Sequence, residues 1–380
     1  MIQKTRKGND FFSEVLDAVA IFNLLRSFFW QKLWHKWLLP LLLILFCLSA
    51  SQSAYAEKPV FVTPPSQPTE VKIGLYLIAI DKISPTSSTF PTFDAEMFLD
   101  MKWQDPRLAF DPEKVGTDRE VFLEHAAELE LERIWWPDVE IENGQGGRKT
   151  EKLILIISAD GMVEYEERFV VTIETNFDLH QFPFDQQDLE VDIESFAWDE
   201  RYVVFAPMKE KIGNKTDHAG SEWRITDVST EIRSEREIRS DHDFSEFIFN
   251  VHVERLPGYY LWHVSPLFII IILSWSAFWM EGEAMPGRMG RSFIALLTVV
   301  AFHRIISNMM PHIFYMTFLD SMVLIAYFFT GIGIIENVIV NRHEVKGDHD
   351  RANRIDRRAR WLVPLSFVIL SGLSVLIYFT

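Results

Sequence analysis

Cysteine is almost absent. Cys47 is the only one in 380 residues, and it lies in an apolar run near the start. If that run is cleaved, the remainder has neither disulfide nor thiol chemistry, and an exported domain must hold together by its core. Metal and catalytic signatures are missing as well. The 11 histidines are scattered, with no H-E-x-x-H and no Cys/His spacing suited to zinc. There is no G-x-S-x-G. Gly144-Gln145-Gly146-Gly147 lacks the Lys-Ser/Thr of a phosphate-binding P-loop and reads as a plain loop. No cofactor, no firm metal site and no enzymatic activity are expected. Positive charge is also scarce beyond residue 56. Residues 1–56 hold Lys4, Arg6, Lys7, Arg26, Lys32 and Lys36 against Asp10, Glu14 and Asp17, a net +3, so the total of −17 leaves −20 for the rest. So acidic a remainder argues against nucleic acid as a partner and suits the attraction of cations.

What is present begins with an export signal. A basic stretch ending at Lys36 precedes an apolar run over 37–48, then small residues and Ala54-Tyr55-Ala56, an A-x-A cleavage pattern. The run is short for a membrane span. Residues 1–56 are read as a signal peptide, with an uncleaved anchor as the alternative. Residues 57–254 read as an exported domain. Pro59, Pro64, Pro65 and Pro68 mark an extended lead-in. Alternating apolar residues predict strands over 71–80, 97–103, 153–157, 169–173, 189–196 and 247–253, each with one buried face. Turn signals such as Asn143-Gly144 and Ser158-Ala159-Asp160-Gly161 separate them. This pattern predicts an immunoglobulin-like β-sandwich. Residues 112–133, rich in Glu, Ala and Leu, predict a helix on it.

Residues 255–380 read as a four-helix transmembrane bundle with spans over about 259–279, 289–310, 319–340 and 361–379, each long enough to cross. The segment 341–360 carries Arg342, Lys346, Arg351, Arg354, Arg357, Arg358 and Arg360, whereas 311–318 carries no Lys or Arg. The positive-inside rule makes the first a cytoplasmic loop and puts the second outside. The C-terminus then lies outside with residues 57–254, the side the signal peptide demands. A multi-pass protein of the inner or plasma membrane is expected. In the second span Gly290, Ile294, Leu297, Ala301 and Ile305 share one helical face, flanked by charge on neighbouring faces, with Arg288, Arg291 and Arg304 inside or beside the stretch 284–311. A small-to-apolar stripe ending in charge suits a helix that lines a water-filled hole. One bundle encloses no such hole, so a cyclic oligomer is required.

Several motifs in order resemble the pentameric ligand-gated ion channels, or Cys-loop receptors. Trp103-Gln104-Asp105-Pro106-Arg107-Leu108 resembles that family's W-x-D-x-R-L, and Trp136-Pro137-Asp138, followed by Asn143, its W-x-P-D. Phe182-Pro183-Phe184-Asp185 resembles the [FY]-P-x-D of the signature loop. Arg255 with Pro257 and Tyr259-Tyr260 resembles the junction to the first span, while Pro266, Leu297 and Met310-Pro311…Tyr315…Asp320 fit the spans. The loop cysteines of the family would fall at Thr175 and Leu189, so the disulfide is absent, as in bacterial members. A cytoplasmic loop over 341–360, with no inserted domain, also points to a prokaryotic channel.

The resemblance implies a homopentamer, with membrane lipid, a small-molecule or cationic ligand and permeating inorganic ions as further partners. It implies that the second span lines the pore and that rings of Leu297 and Ile294 close it. Pro286-Gly287-Arg288 resembles the Pro-Ala-Arg of glycine and GABA receptors and favours anions, with Arg304 as a second positive ring and Glu281 and Glu283 opposing. The alternative is a cation channel of the same family gated by protons or divalent cations. A ligand would sit between subunits near Phe98, Asp100, Trp136, Glu142, Glu194, Phe196 and Trp198, with Asp241 and Asp243 nearby. Asp100 stands where amino-acid-binding members carry arginine, which favours a cation. Coupling would pass through Asp81, Pro183, Asp185, Arg255, Pro311 and Tyr315, with Asp185 pairing Arg255. A non-conducting membrane-anchored sensor is the competing reading.

Overall fold

Alternation of period two builds the exported part. The computed structural model describes residues 60–84, 91–237, 241–279, 285–308 and 313–380; the signal-peptide stretch, Glu281, Glu283 and Pro311 lie outside the described residues. The strands are β1 (Thr69–Ser84), β2 (Thr92–Gln104), β3 (Arg119–Leu123), β4 (Val139–Ile141), β5 (Gly144–Ser158), β6 (Met162–Glu174), β7 (Gln186–Ser195), β8 (Val203–Pro207), β9 (Gly213–Asn214), β10 (His218–Ala219), β11 (Trp223–Glu237) and β12 (His242–Arg255). They form a sandwich. One sheet runs β3-β5-β6-β2-β1-β8, with β9 also on β1, and the other runs β10-β11-β12-β7-β4. Alternate residues meet between the sheets: Ile73, Leu75 and Leu77 of β1, Met97 and Leu99 of β2, Val191 and Ile193 of β7, and Phe247 and Phe249 of β12 are all buried. The W-x-D-x-R-L motif is a local brace. Asp105 is fully buried, accepts the Arg107 backbone N–H at 3.1 Å and takes the Arg107 guanidinium on both oxygens.

Two expectations for this domain are corrected. The predicted helix over 112–133 is α1 (Pro112–Val115), then β3, then α2 (His125–Leu131). Gly116 takes a left-handed φ of 83° and ends α1, and β3 finds its hydrogen bonds on the edge of β5. Residues 144–147 are not a plain loop but the start of β5. Gly146 and Gly147, at φ of 77° and 79°, form a bulge where the register with β6 slips.

Four further helices follow, α3 (Gly258–Trp275), α4 (Met285–Ser307), α5 (Phe318–Val345) and α6 (His349–Phe379), all long and apolar enough to cross a membrane. The expected loop over 341–360 is mostly helix. α5 runs on to Val345 and α6 starts at His349, because Gly347 at φ 79° turns the chain and the Asp348 carboxylate caps α6 by accepting the Arg351 N–H.

Candidate functional site

The outward face of the five-stranded sheet gathers carboxylates. Strand register sets Glu140 of β4 opposite Glu194 of β7, Glu194 opposite Glu246 of β12, and Glu246 opposite Arg233 of β11. Like charges placed directly across strands repel. Glu194 and Glu246 are also buried, at 3% and 4% exposure. Glu142 donates its backbone N–H to the Asp192 carbonyl at 2.9 Å, which brings a second outward pair beside the row. Burial pushes Glu246 up to about 7, reinforced by Asp192, Glu235 and Glu142. Burial likewise pushes Asp192 up to about 6, with Glu190 and Glu142 adding. One Glu246 oxygen is buried with no hydrogen-bond partner among the described residues. A cavity of about 340 Å³ lies against the row, lined by Glu140, Glu142, Gly147, Arg148 and Glu194.

The other expected ligand residues fall in different places. Phe196 is open at 56% exposure on the loop after β7. The Trp198 ring packs edge-on against Trp135 and Tyr202, and Trp136 stacks on Tyr165 at 6.1 Å. Phe98 and Asp100 sit on β2 in the other sheet. Asp100 is corrected as an open carboxylate for a cation: it is buried, and Lys211 already reaches it at 2.7 Å. Asp241 is held by Arg236 at 2.5 Å. Glu246, Asp192 and Lys211 were missed in the sequence. The outward positions of D-L-E-V-D-I-E in β7 and S-E-F in β12 carried the signal for the first two, since alternation alone sets those acids on one face.

The junction is organised by Arg255 at the end of β12. Its Nε donates to Asp185 Oδ1 at 2.7 Å and its Nη2 to Oδ2 at 3.1 Å, so the expected pair forms, with both side chains almost fully buried. Trp223 and Phe182 lie 4.0 and 4.8 Å from the guanidinium, and Tyr260 accepts from it while donating to Glu222. Pro183 is buried beside this pair on the same loop. Tyr315 accepts the Leu179 N–H at 3.0 Å and stacks on His180 at 4.1 Å, tying the signature loop to the segment before α5. Asp81 is exposed on β1.

α4 has two faces. Ser292, Ala295, Val299 and Ile306 form its buried seam. On the other side Ile294 and Leu297 are each 66% exposed, Ile305 is 47% exposed and Ala301 is open, with Pro286 exposed and Gly287 and Gly290 half-exposed near the start. Arg288 belongs to the seam, which corrects its expected place beside Pro286 and Gly287 at the pore mouth. It is 4% exposed and donates to Asp356 of α6 at 2.6 Å, with Glu336 of α5 at 3.6 Å. The reason was legible: residue 288 lies seven positions before Ala295, two helical turns, and nine before Leu297, half a turn out of phase. Arg304 remains exposed.

Two family models match the chain. One, described as the neurotransmitter-gated ion-channel ligand binding domain, covers residues 50–257, and the neurotransmitter-gated ion-channel transmembrane region covers residues 264–352. The chain is 26% identical over 332 residues to a proton-gated ion channel of Gloeobacter violaceus, across 87% of this chain and 89% of the relative. It is 25% identical over 309 residues to a gamma-aminobutyric acid receptor subunit beta of Lymnaea stagnalis, across 77% of this chain but 61% of the relative. With a gamma-aminobutyric acid receptor subunit beta-like of Drosophila melanogaster it shares 26% over 285 residues, 72% of this chain and 56% of that one.

Proposed function

Because the chain belongs to the neurotransmitter-gated ion-channel family, we propose that five copies close around the open face of α4 and that this face lines an ion path. The chain is a multi-pass membrane protein with an extracellular ligand-binding part, and not an enzyme. On this reading residues 1–56 are a removed signal peptide, 57–254 the ligand-binding domain and 255–380 the pore domain. The observation that carries it is the apolar stripe of α4. Ile294 and Leu297 stay two-thirds exposed because no helix among the described residues covers them. Rings of such side chains exclude water and block ions at rest. Anion preference is read from the α4 N-terminus, where Pro286 and Gly287 stand exposed or half-exposed and the backbone N–H groups of the first turn concentrate positive potential. Arg288 adds little to it, being matched by two carboxylates.

The trigger we favour is the proton, acting on the row Glu140, Glu194 and Glu246 with Asp192 and Glu142. Neutralising mutually repelling carboxylates, of which Glu194 and Glu246 are buried, changes how β4, β7 and β12 sit together. The relative from Gloeobacter violaceus is named as proton-gated, which supports this reading. A small amine bound beside Phe196 and the same carboxylates is the second reading, favoured by that open ring. Full-length protein in planar bilayers tests both parts. External acidification should evoke current whose reversal follows the chloride gradient. Current that appears only with an amine overturns the trigger, and a reversal that follows sodium or potassium overturns the selectivity.

A further inference from the structure

A buried ionisable cluster lies away from the outer domain, where α4, α5 and α6 meet toward the end of the bundle bearing the α5–α6 turn. Arg288 is bound to Asp356 through both terminal nitrogens, Nη2 to Oδ1 at 2.6 Å and Nη1 to Oδ2 at 3.2 Å. Glu336 stands 3.6 Å from the same guanidinium, and neither of its oxygens has a hydrogen-bond partner among the described residues. All three side chains are 5–7% exposed. Beside them Asn337 donates to Ser292 at 2.8 Å, a second α5–α4 link. One guanidinium thus faces two carboxylates, and the one it does not grip is buried and unsatisfied. A surplus carboxylate so placed is relieved by taking up a proton, because burying it ionised costs several kcal/mol.

We propose that Glu336, with Arg288 and Asp356, is a proton-binding site reached from the cytoplasmic side, and that its occupancy sets how firmly α4 is held to α5 and α6. With Glu336 neutral, Arg288 stays on Asp356. With Glu336 ionised, two carboxylates compete for one guanidinium and the grip on α4 loosens. Among the described residues, the charged groups facing Glu336 are Arg288 from α4 and Asp356 from α6. α3 presents no ionisable group at this level, its His263 lying near the opposite end. Glu344, on α5 itself, acts on Arg288. Arg360 of α6 donates instead to the Phe278 carbonyl at 2.6 Å. The link to gating rests on α4 being the pore helix; the proton site itself does not.

The experiment uses the full-length channel in two ways. In nanodiscs, infrared difference spectra on changing pH should show a protonated carboxyl band that Glu336→Gln removes. In inside-out patches, internal alkalinisation should change open probability in the wild type and not in Glu336→Gln. Asp356→Asn, which leaves Glu336 sole claim on Arg288, should move the response about one pH unit toward acid. An unchanged band and an unchanged internal-pH response in Glu336→Gln overturn the proposal. A band lost in Glu336→Gln, with wild-type currents indifferent to internal pH, overturns the link to α4. Loss of the band in a protein that conducts under no condition supports the proton site and counts against the pore reading alone.

Discussion

Arg255→Ala removes the centre of the junction. The guanidinium makes two hydrogen bonds to Asp185 and lies 4.0 Å from the Trp223 ring. After truncation the Asp185 carboxylate, 1% exposed, keeps among the described residues the Gln187 amide at 2.7 Å and no ion-pair partner. Leaving a buried charge unpaired costs about 3–5 kcal/mol. Arg224→Ala is the internal control: its pair with Glu254 is half-exposed, at 53% and 33%, and such a pair is worth about 0.2–1 kcal/mol. Asp185→Asn in the Arg255→Ala background removes the orphaned charge and should recover part of the loss, because coupled neighbours are not additive. Thermal unfolding of the full-length protein in nanodiscs, beside patch-clamp current per surface-labelled channel, measures both consequences. The expected result is a large fall in melting temperature and current for Arg255→Ala, a small fall for Arg224→Ala and partial rescue in the double variant. Equal falls for the two arginines, or no rescue, would refute the reasoning.

Three further outcomes are expected. Glu246 and Asp192 hold protons in the folded protein up to about 7 and about 6, above their ordinary values of 4.5 and 3.8. The folded state then binds more protons than the unfolded one across that window, so stability is greatest below it and falls as pH rises through it; Glu246→Gln should flatten this loss in melting curves taken across the window. Leu297→Thr wets the proposed constriction and should raise resting current in the absence of any trigger, which single-channel recording would detect. Asp100→Asn breaks a 2.7 Å contact with Lys211, an ion pair on β2 of the other sheet rather than in the carboxylate row; dose–response curves for acid and for calcium should not shift, and a shift in either would return Asp100 to the ligand site.

The architecture was legible where one physical signal dominated. Strands with a clean apolar alternation, such as 71–80 and 247–253, appear as β1 and β12, and the apolar runs appear as α3 to α6. β11 was missed although it has 15 residues. A bulge between Ile225 and Asp227 resets its parity, so Trp223 and Ile225 fall on one count and Val228 and Ile232 on the next. Glu, Ala and Leu around β3 predict helix there, and its strand state is imposed by the open edge of β5. Among site residues, Arg255 and Asp185 are 70 positions apart and were paired only through the family resemblance. The burial of Arg288 was visible in helical phase but outweighed by the motif it resembles. Lys211 and Asp100, 111 positions apart, are joined by β-sheet packing that no local pattern encodes.

The tight turn between α5 and α6 bears on how this architecture can be elaborated. Val345, Lys346 and Gly347 are exposed, and the turn closes through Gly347 N–H to the Glu344 carbonyl and Asp348 N–H to the His343 carbonyl. The two helix ends therefore lie side by side, beyond the buried contacts that hold the bundle. A folded module whose own termini are close together can be spliced between Lys346 and Gly347 at the cost of two backbone hydrogen bonds and no core packing. The hairpin is thus a graft point: new cytoplasmic machinery can be added there while the helices around the ion path keep their places.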